Sequence, residues 1–110
     1  MAHQEQITLS ILVPTIGRTA ELDMLLDSIQ KAMLHFPYEI IIIDQNPAEF
    51  LDEVLSKYQH VLPISHHLVA FKGLSKAKNY GVKVSKGDFI CFPDDDCKVF
   101  PDTFAKAFQL

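Results

Sequence analysis

The stretch Tyr38-Glu39-Ile40-Ile41-Ile42-Ile43, closed by Asp44, restricts the possible folds of this chain more than any other segment. It is almost unbrokenly apolar and shows no alternation. A strand with one face in water alternates apolar and polar side chains, whereas a strand covered on both faces has no reason to. The run therefore predicts a central parallel strand with packing layers above and below.

The neighbouring segments agree with that prediction. Ile7, Leu9, Ile11 and Val13 alternate with Thr8, Ser10 and Leu12 in a first strand ending at Pro14. Leu22, Leu25, Leu26, Ile29, Met33 and Phe36 then recur at helical spacing. Pro47 opens a second helix, with Leu51, Val54, Leu55 and Tyr58 as its apolar stripe. Residues 64–69 read as a weaker strand, 73–85 as a third helix and 87–92 as a fourth strand, and Pro101 to Leu110 begins another helix. Such alternation predicts one α/β domain over residues 1–110, a Rossmann-like α/β/α sandwich on a mostly parallel sheet.

In sheets of this kind ligands collect at the carboxyl ends of the strands. Thr15-Ile16-Gly17-Arg18, Asp44-Gln45-Asn46 and Asp94-Asp95-Asp96 each follow such an end, so they are expected to converge on one rim. The triple aspartate is the most chemically loaded of them. Adjacent carboxylates repel, and desolvation at a strand end adds to the cost. A hard divalent cation such as Mg2+ or Mn2+ removes both penalties and commonly bridges carboxylates to a substrate's phosphates. Aspartates also cluster in turns and cap helices. Convergence with two other strand ends favours the metal and a phosphate-bearing ligand.

Composition narrows the classes. The formal charge of −4 gives no global basic field for nucleic acid. No apolar stretch approaches a membrane span, and the first residues lack the pattern of a signal peptide, so the expected location is the cytoplasm. Cys91 and Cys97 read as reduced thiols, because six residues of extended chain reach well past disulfide range. The five histidines, including the adjacent His66 and His67, read as structural or surface residues, since neighbours on a strand point to opposite faces.

Lys72, Lys76, Lys78, Lys83 and Lys86 are half of all Lys and Arg, in a stretch without an acid. At helical spacing Leu74, Ala77, Gly81 and Val84 define the buried face, with Lys72, Lys76 and Lys83 nearly opposite. Lys78 sits beside that face and is expected to reach toward the strand ends. Lys78, and secondarily Lys72, are the candidates to neutralise a phosphate, with backbone N–H groups near Gly73 as further donors.

In this order, Leu12-Val13-Pro14-Thr15 with Arg18, Ile41-Ile42-Ile43-Asp44, Gly73-Leu74-Ser75-Lys76-Ala77-Lys78-Asn79-Tyr80-Gly81, and residues 87–96 resemble the start of the inverting family 2 glycosyltransferases of the GT-A fold. The resemblance implies a nucleotide-sugar-binding part, truncated before the acceptor-binding half. That half supplies the family's general base, so the base is expected beyond Leu110 and no catalytic residue is assigned within the chain. Pro14, Thr15 and Asp44 would line the base and ribose site, with Ile16, Arg18, Gln45 and Gly73 beside them. Lys78 would stand where the family has an arginine near the nucleotide. Asp94 and Asp96 would bridge Mn2+ or Mg2+ to the diphosphate, and Asp95 would contact ribose or sugar.

The departures from the pattern are Ile16-Gly17 after Pro-Thr, Gln45-Asn46-Pro47 after Asp44, and lysine at 78, which lacks the planar fork of arginine. They bear on nucleotide identity. The implied partners are a UDP-, GDP- or TDP-linked sugar, an acceptor glycan or other hydroxyl compound, and a second copy where half-domain edges pair. The longer protein would be cytoplasmic or attached to the inner membrane face. Two other readings stay open: a non-catalytic metal-, nucleotide- or partner-binding domain, and a sugar nucleotidyltransferase, which Thr15-Ile16-Gly17-Arg18 is too glycine-poor to favour.

Overall fold

A computed structural model describes residues 6–93. Four strands form one sheet: β1 (Leu9–Thr15), β2 (Tyr38–Asp44), β3 (Ile64–Leu68) and β4 (Phe89–Cys91). Three helices, α1 (Ala20–Ala32), α2 (Asp52–Tyr58) and α3 (Leu74–Val84), alternate with them. The strand order is β3-β2-β1-β4 and every pairing is parallel. The α/β fold with a parallel sheet is thus as the sequence predicts.

β2 lies inside the sheet with Ile40, Ile41, Ile42 and Ile43 all buried, which accounts for its lack of alternation. β1 is equally central. Although its sequence partly alternates, Leu9 through Val13 are all buried, Ser10 included. Side chains of one parity, Leu9, Ile11, Val13, Ile40 and Ile42, pack against Leu22, Leu25, Leu26 and Ile29 of α1 and Val54, Leu55 and Tyr58 of α2. The opposite parity, Leu12, Ile41 and Ile43, packs against Ala77 of α3. The sheet is therefore a middle layer between two helical layers.

Several boundaries differ from the sequence reading, each for a local reason. β1 extends through Thr15 rather than stopping at Pro14, because Pro14 and Thr15 continue the register opposite Ile43 and Asp44. α1 stops at Ala32: Met33 takes a left-handed conformation (φ 49°) and caps the helix, its N–H donating to the Gln30 carbonyl. Met33 is consequently exposed, while Phe36 packs on the core from beyond the helix. Pro47 opens turns rather than a helix, with Glu49 at φ 73° and α2 starting only at Asp52. Leu74, expected on the buried face of α3, is exposed in the first helical turn.

Gly81 explains how α3 lies so close to the sheet. A Cβ there would stand 3.1 Å from both the Ile43 and Leu12 Cδ1 atoms. With Ala77 one turn earlier, it leaves no side chain to hold the helix away.

Candidate functional site

The chain steps from β1 outward to β2 and β3, then returns to place β4 on the other side of β1. The sequence of strands reverses between β1 and β4, and the crevice outside the carboxyl ends at such a reversal is where open α/β sheets bind ligands. The loop 15–18 borders it from β1. From β4, Cys91 is level with Ile11. Asp94, Asp95 and Asp96 follow three residues later in sequence and lie outside the described residues, as does Cys97. The helix expected to begin at Pro101 lies outside them too.

The candidate residues on the rim fall into a buried layer and an accessible one. Asp44 is 1% exposed and its carboxylate is closely engaged. Oδ1 accepts from the Asn46 backbone N–H (2.9 Å) and the Asn46 amide (2.8 Å), and Oδ2 lies 2.8 Å from His66 Nε2. A buried carboxylate is tolerated only when its lone pairs find donors, and these partners supply them. The Asn46 carboxamide oxygen in turn accepts from the Gly17 N–H, and the Gln45 N–H donates to the Thr15 carbonyl (3.0 Å). The Gln45 side-chain oxygen accepts from the Gly73 N–H at 2.8 Å. Three consecutive polar residues thus tie together the loop after β1, the edge strand β3 and the entry to α3.

Above that layer, Ile16, Gly17, Arg18 and Gly73 are exposed, whereas Thr15 is buried and Pro14 half-buried. Gly17 (φ 67°) and Gly73 (φ 135°) adopt conformations that other residues avoid. The Gln45-Asn46 clamp fixes both, so the loop and helix entry have defined shapes without relying on a ligand. Thr15 and Arg18 also border a crevice of about 10 Å3 at the start of α1, room for about one water.

Lys78 lies on the other face of the sheet from Thr15 and Asp44. Its Nζ sits 5.0 Å from the centroid of the Phe92 ring, just past the end of β4. Helical phase places the lysine beside the buried face, as expected, and the cation–π contact holds it toward β4. Lys72 is exposed in the loop before α3. The structure therefore brings Thr15, Asp44, Gln45 and Gly73 into one bonded cluster, and sets Lys78 apart beside β4.

The sequence reading assigns no individual role to His66 or Asn46. A signal for His66 is present: in parallel register it is opposite Ile42, so its side chain shares a face with Asp44. Asn46 carries no such signal, because its role depends on how the 15–18 loop folds back. Among the described residues no group of three or more His, Cys, Asp or Glu side chains gathers as a metal cage. Asp44, with protein donors on both oxygens, is not placed as a cation ligand.

A sequence model described as Glycosyl transferase family 2 matches residues 10–110. The chain is 32% identical over 96 residues to a hyaluronan synthase of Pasteurella multocida, covering 86% of this chain and 10% of that protein. It is 33% identical over 104 residues to an uncharacterized glycosyltransferase of Haemophilus influenzae, covering 93% of this chain and 34% of the relative. The crystal structure of S. aureus TarS 1-349 in complex with UDP-GlcNAc superposes with a TM-score of 0.80 at 24% identity, over 92% of this chain and 30% of that one. At that identity the likeness establishes a common fold. The chain spans about a third or less of the length of each of these proteins.

Proposed function

The chain belongs to glycosyl transferase family 2, and from that premise we propose that it forms the donor-binding part of an inverting glycosyltransferase. The donor is a nucleoside-diphosphate sugar and the acceptor a hydroxyl compound such as a glycan. The observation that carries this reading is the preformed carboxyl rim, where Asp44, Gln45 and Asn46 at the end of β2 fix the entry to α3 and the loop after β1, and that loop borders the β1/β4 reversal.

Each part has a physical task. Ile16, Gly17 and Arg18 offer exposed apolar surface, backbone and a guanidinium to the nucleoside. The Asp44-Gln45-Asn46 clamp acts mainly by positioning, since its polar atoms already serve the protein. Lys78 is held beside Phe92 at the end of β4, where its charge stabilises the diphosphate as the glycosidic bond breaks. Asp94 and Asp96 are oxygen donors of the type that suits Mg2+ or Mn2+, and these two would hold the ion with Asp95 toward ribose or sugar. When bound, the ion supplies charge neutralisation for the leaving diphosphate. No described residue is placed as general base for the acceptor.

Thermal unfolding with UDP, GDP or TDP, with and without Mn2+, tests the reading. One nucleotide should stabilise the chain in a metal-dependent way, by about 2.7 kcal/mol at a hundredfold excess over Kd. The double substitution Asp94→Asn, Asp96→Asn should abolish the metal dependence. Absence of any shift in the folded chain would sink the proposal. A non-catalytic binding domain is the second reading, favoured by the engagement of both Asp44 oxygens; it predicts that metal leaves nucleotide binding unchanged.

A further inference from the structure

A separate cleft opens on the flank of α3. Phe71, Lys76, Asn79, Tyr80 and Lys83 line it, and its volume is about 410 Å3. Its floor is aromatic: the Phe71 and Tyr80 ring centroids are 6.0 Å apart, with the planes at 55°. Tyr80 is held from the sheet side, where His67 Nδ1 lies 2.9 Å from its hydroxyl and the two rings meet edge to face at 5.4 Å. Its position is therefore set by β3 rather than by whatever enters the cleft.

The remaining lining is polar and basic. Asn79 brings both a donor and an acceptor. Lys76 and Lys83 are exposed, and neither forms an ion pair with an acid among the described residues. Residues 72–86 contain five lysines and no carboxylate, in a chain whose formal charge is −4. The positive charge is therefore concentrated on and beside this helix, against the sign of the whole molecule.

From this combination we propose that the α3 cleft is a binding site for an acidic glycan. The apolar C–H face of a pyranose packs on Phe71 and Tyr80, sugar hydroxyls exchange hydrogen bonds with Asn79, and carboxylates meet Lys76 and Lys83. Spacing supports a chain rather than a single sugar. Seven residues of helix separate the two lysines by about 10.5 Å along the axis, comparable to a disaccharide, so one charge on every second sugar reaches both. The cleft starts close to the rim, because Phe71 precedes Gly73, which is bonded to Gln45, by two residues. A glycan running along α3 leads away from that rim. The inference stands on the cleft alone and does not require the donor site.

The test is a titration followed by amide chemical shifts, using a hyaluronan hexasaccharide, uncharged cellohexaose and hexauridylate as probes. The acidic hexasaccharide should perturb Phe71, Lys76, Asn79, Tyr80 and Lys83 and bind more tightly than the other two. Lys76→Gln with Lys83→Gln should weaken it about tenfold or more, equivalent to about 1.4 kcal/mol. The off-cleft pair Lys72→Gln with Lys86→Gln, which removes the same charge, should weaken it clearly less. Phe71→Ala should weaken it while leaving circular dichroism unchanged.

Equal loss from the two lysine pairs would reduce the effect to diffuse charge and overturn the proposal. So would equal binding of cellohexaose, tighter binding of hexauridylate, or no binding by the folded chain. A parallel UDP titration separates the two sites: nucleotide binding without glycan binding rejects the cleft alone, and the converse rejects the donor site alone.

Discussion

Among the described residues, the two faces of the sheet are packed to different depths. On one, fourteen buried residues from both central strands, α1, α2 and the segments beside α2 interlock; on the other, the described core is Leu12, Ile41, Ile43 and Ala77. The thick face also has a polar tie. Asp23 of α1 accepts from Lys57 (2.7 Å) and from the Tyr58 hydroxyl of α2. The thin face relies on close approach at Gly81 and carries exposed lysines and an open cleft. The contrast teaches that, among the described residues, burial, which dominates stability, is concentrated away from the face that carries the proposed glycan cleft.

The largest test of that contrast is Ile42→Ala. Ile42 is fully buried among thick-face residues, so truncation should cost about 2–5 kcal/mol in denaturant unfolding. The ligand sites should be unchanged in the fraction that remains folded. Gly81→Leu is its counterpart on the thin face. The added side chain must displace Ile43 and Leu12 methyls, which should cost about 1–3 kcal/mol. Because α3 would move, this variant should also weaken nucleotide and glycan binding, unlike Ile42→Ala. Equal ligand affinities for the two variants would break the comparison.

Asn46→Ala removes a donor to the buried Asp44 carboxylate and should cost about 1–3 kcal/mol in stability. Its larger effect should be on nucleotide affinity, as the Gly17 loop loses its acceptor. The smallest effect is expected from Asp23→Asn. Hydrogen bonds from Lys57 and then Tyr58 hold the Asp23 carboxyl below its ordinary value, against a weaker opposing effect of burial. A depressed folded-state pKa contributes stability above the unfolded value near ~3.9, and loses it as pH falls through the folded value. The deficit of Asp23→Asn should therefore appear at neutral pH and fade in acid, read as a difference in Tm. With Asp23 and Lys57 both partly exposed, it should be small.

The sequence made the sheet legible because Ile40 to Ile43 admit one environment only, buried on both sides. It also set Lys78 beside the buried face of α3, since helical phase depends on local geometry alone. What escaped depended on chain reversal. Met33 ends α1 without a glycine or proline to announce it, and the turns after Pro47 use a left-handed Glu49. The buried half of the rim escaped for the same reason. The sequence places Asp44 at the expected base and ribose site, but not the partners that strand register and loop folding bring to its two oxygens, His66 and Asn46.

The central claim is that nucleotide binding occurs on the carboxyl rim, with Ile16 to Arg18, Gly73 and Lys78 as its accessible parts. Amide chemical-shift mapping of the chain with UDP and Mg2+ addresses it most directly. Perturbations should centre on Ile16, Gly17, Arg18, Gly73 and Lys78, spread to Gln45 and Asn46 through the clamp, and spare α2. Shifts centred instead on α2 or on the opposite end of the sheet at Glu39 and Lys86, or none at saturating nucleotide, would contradict it.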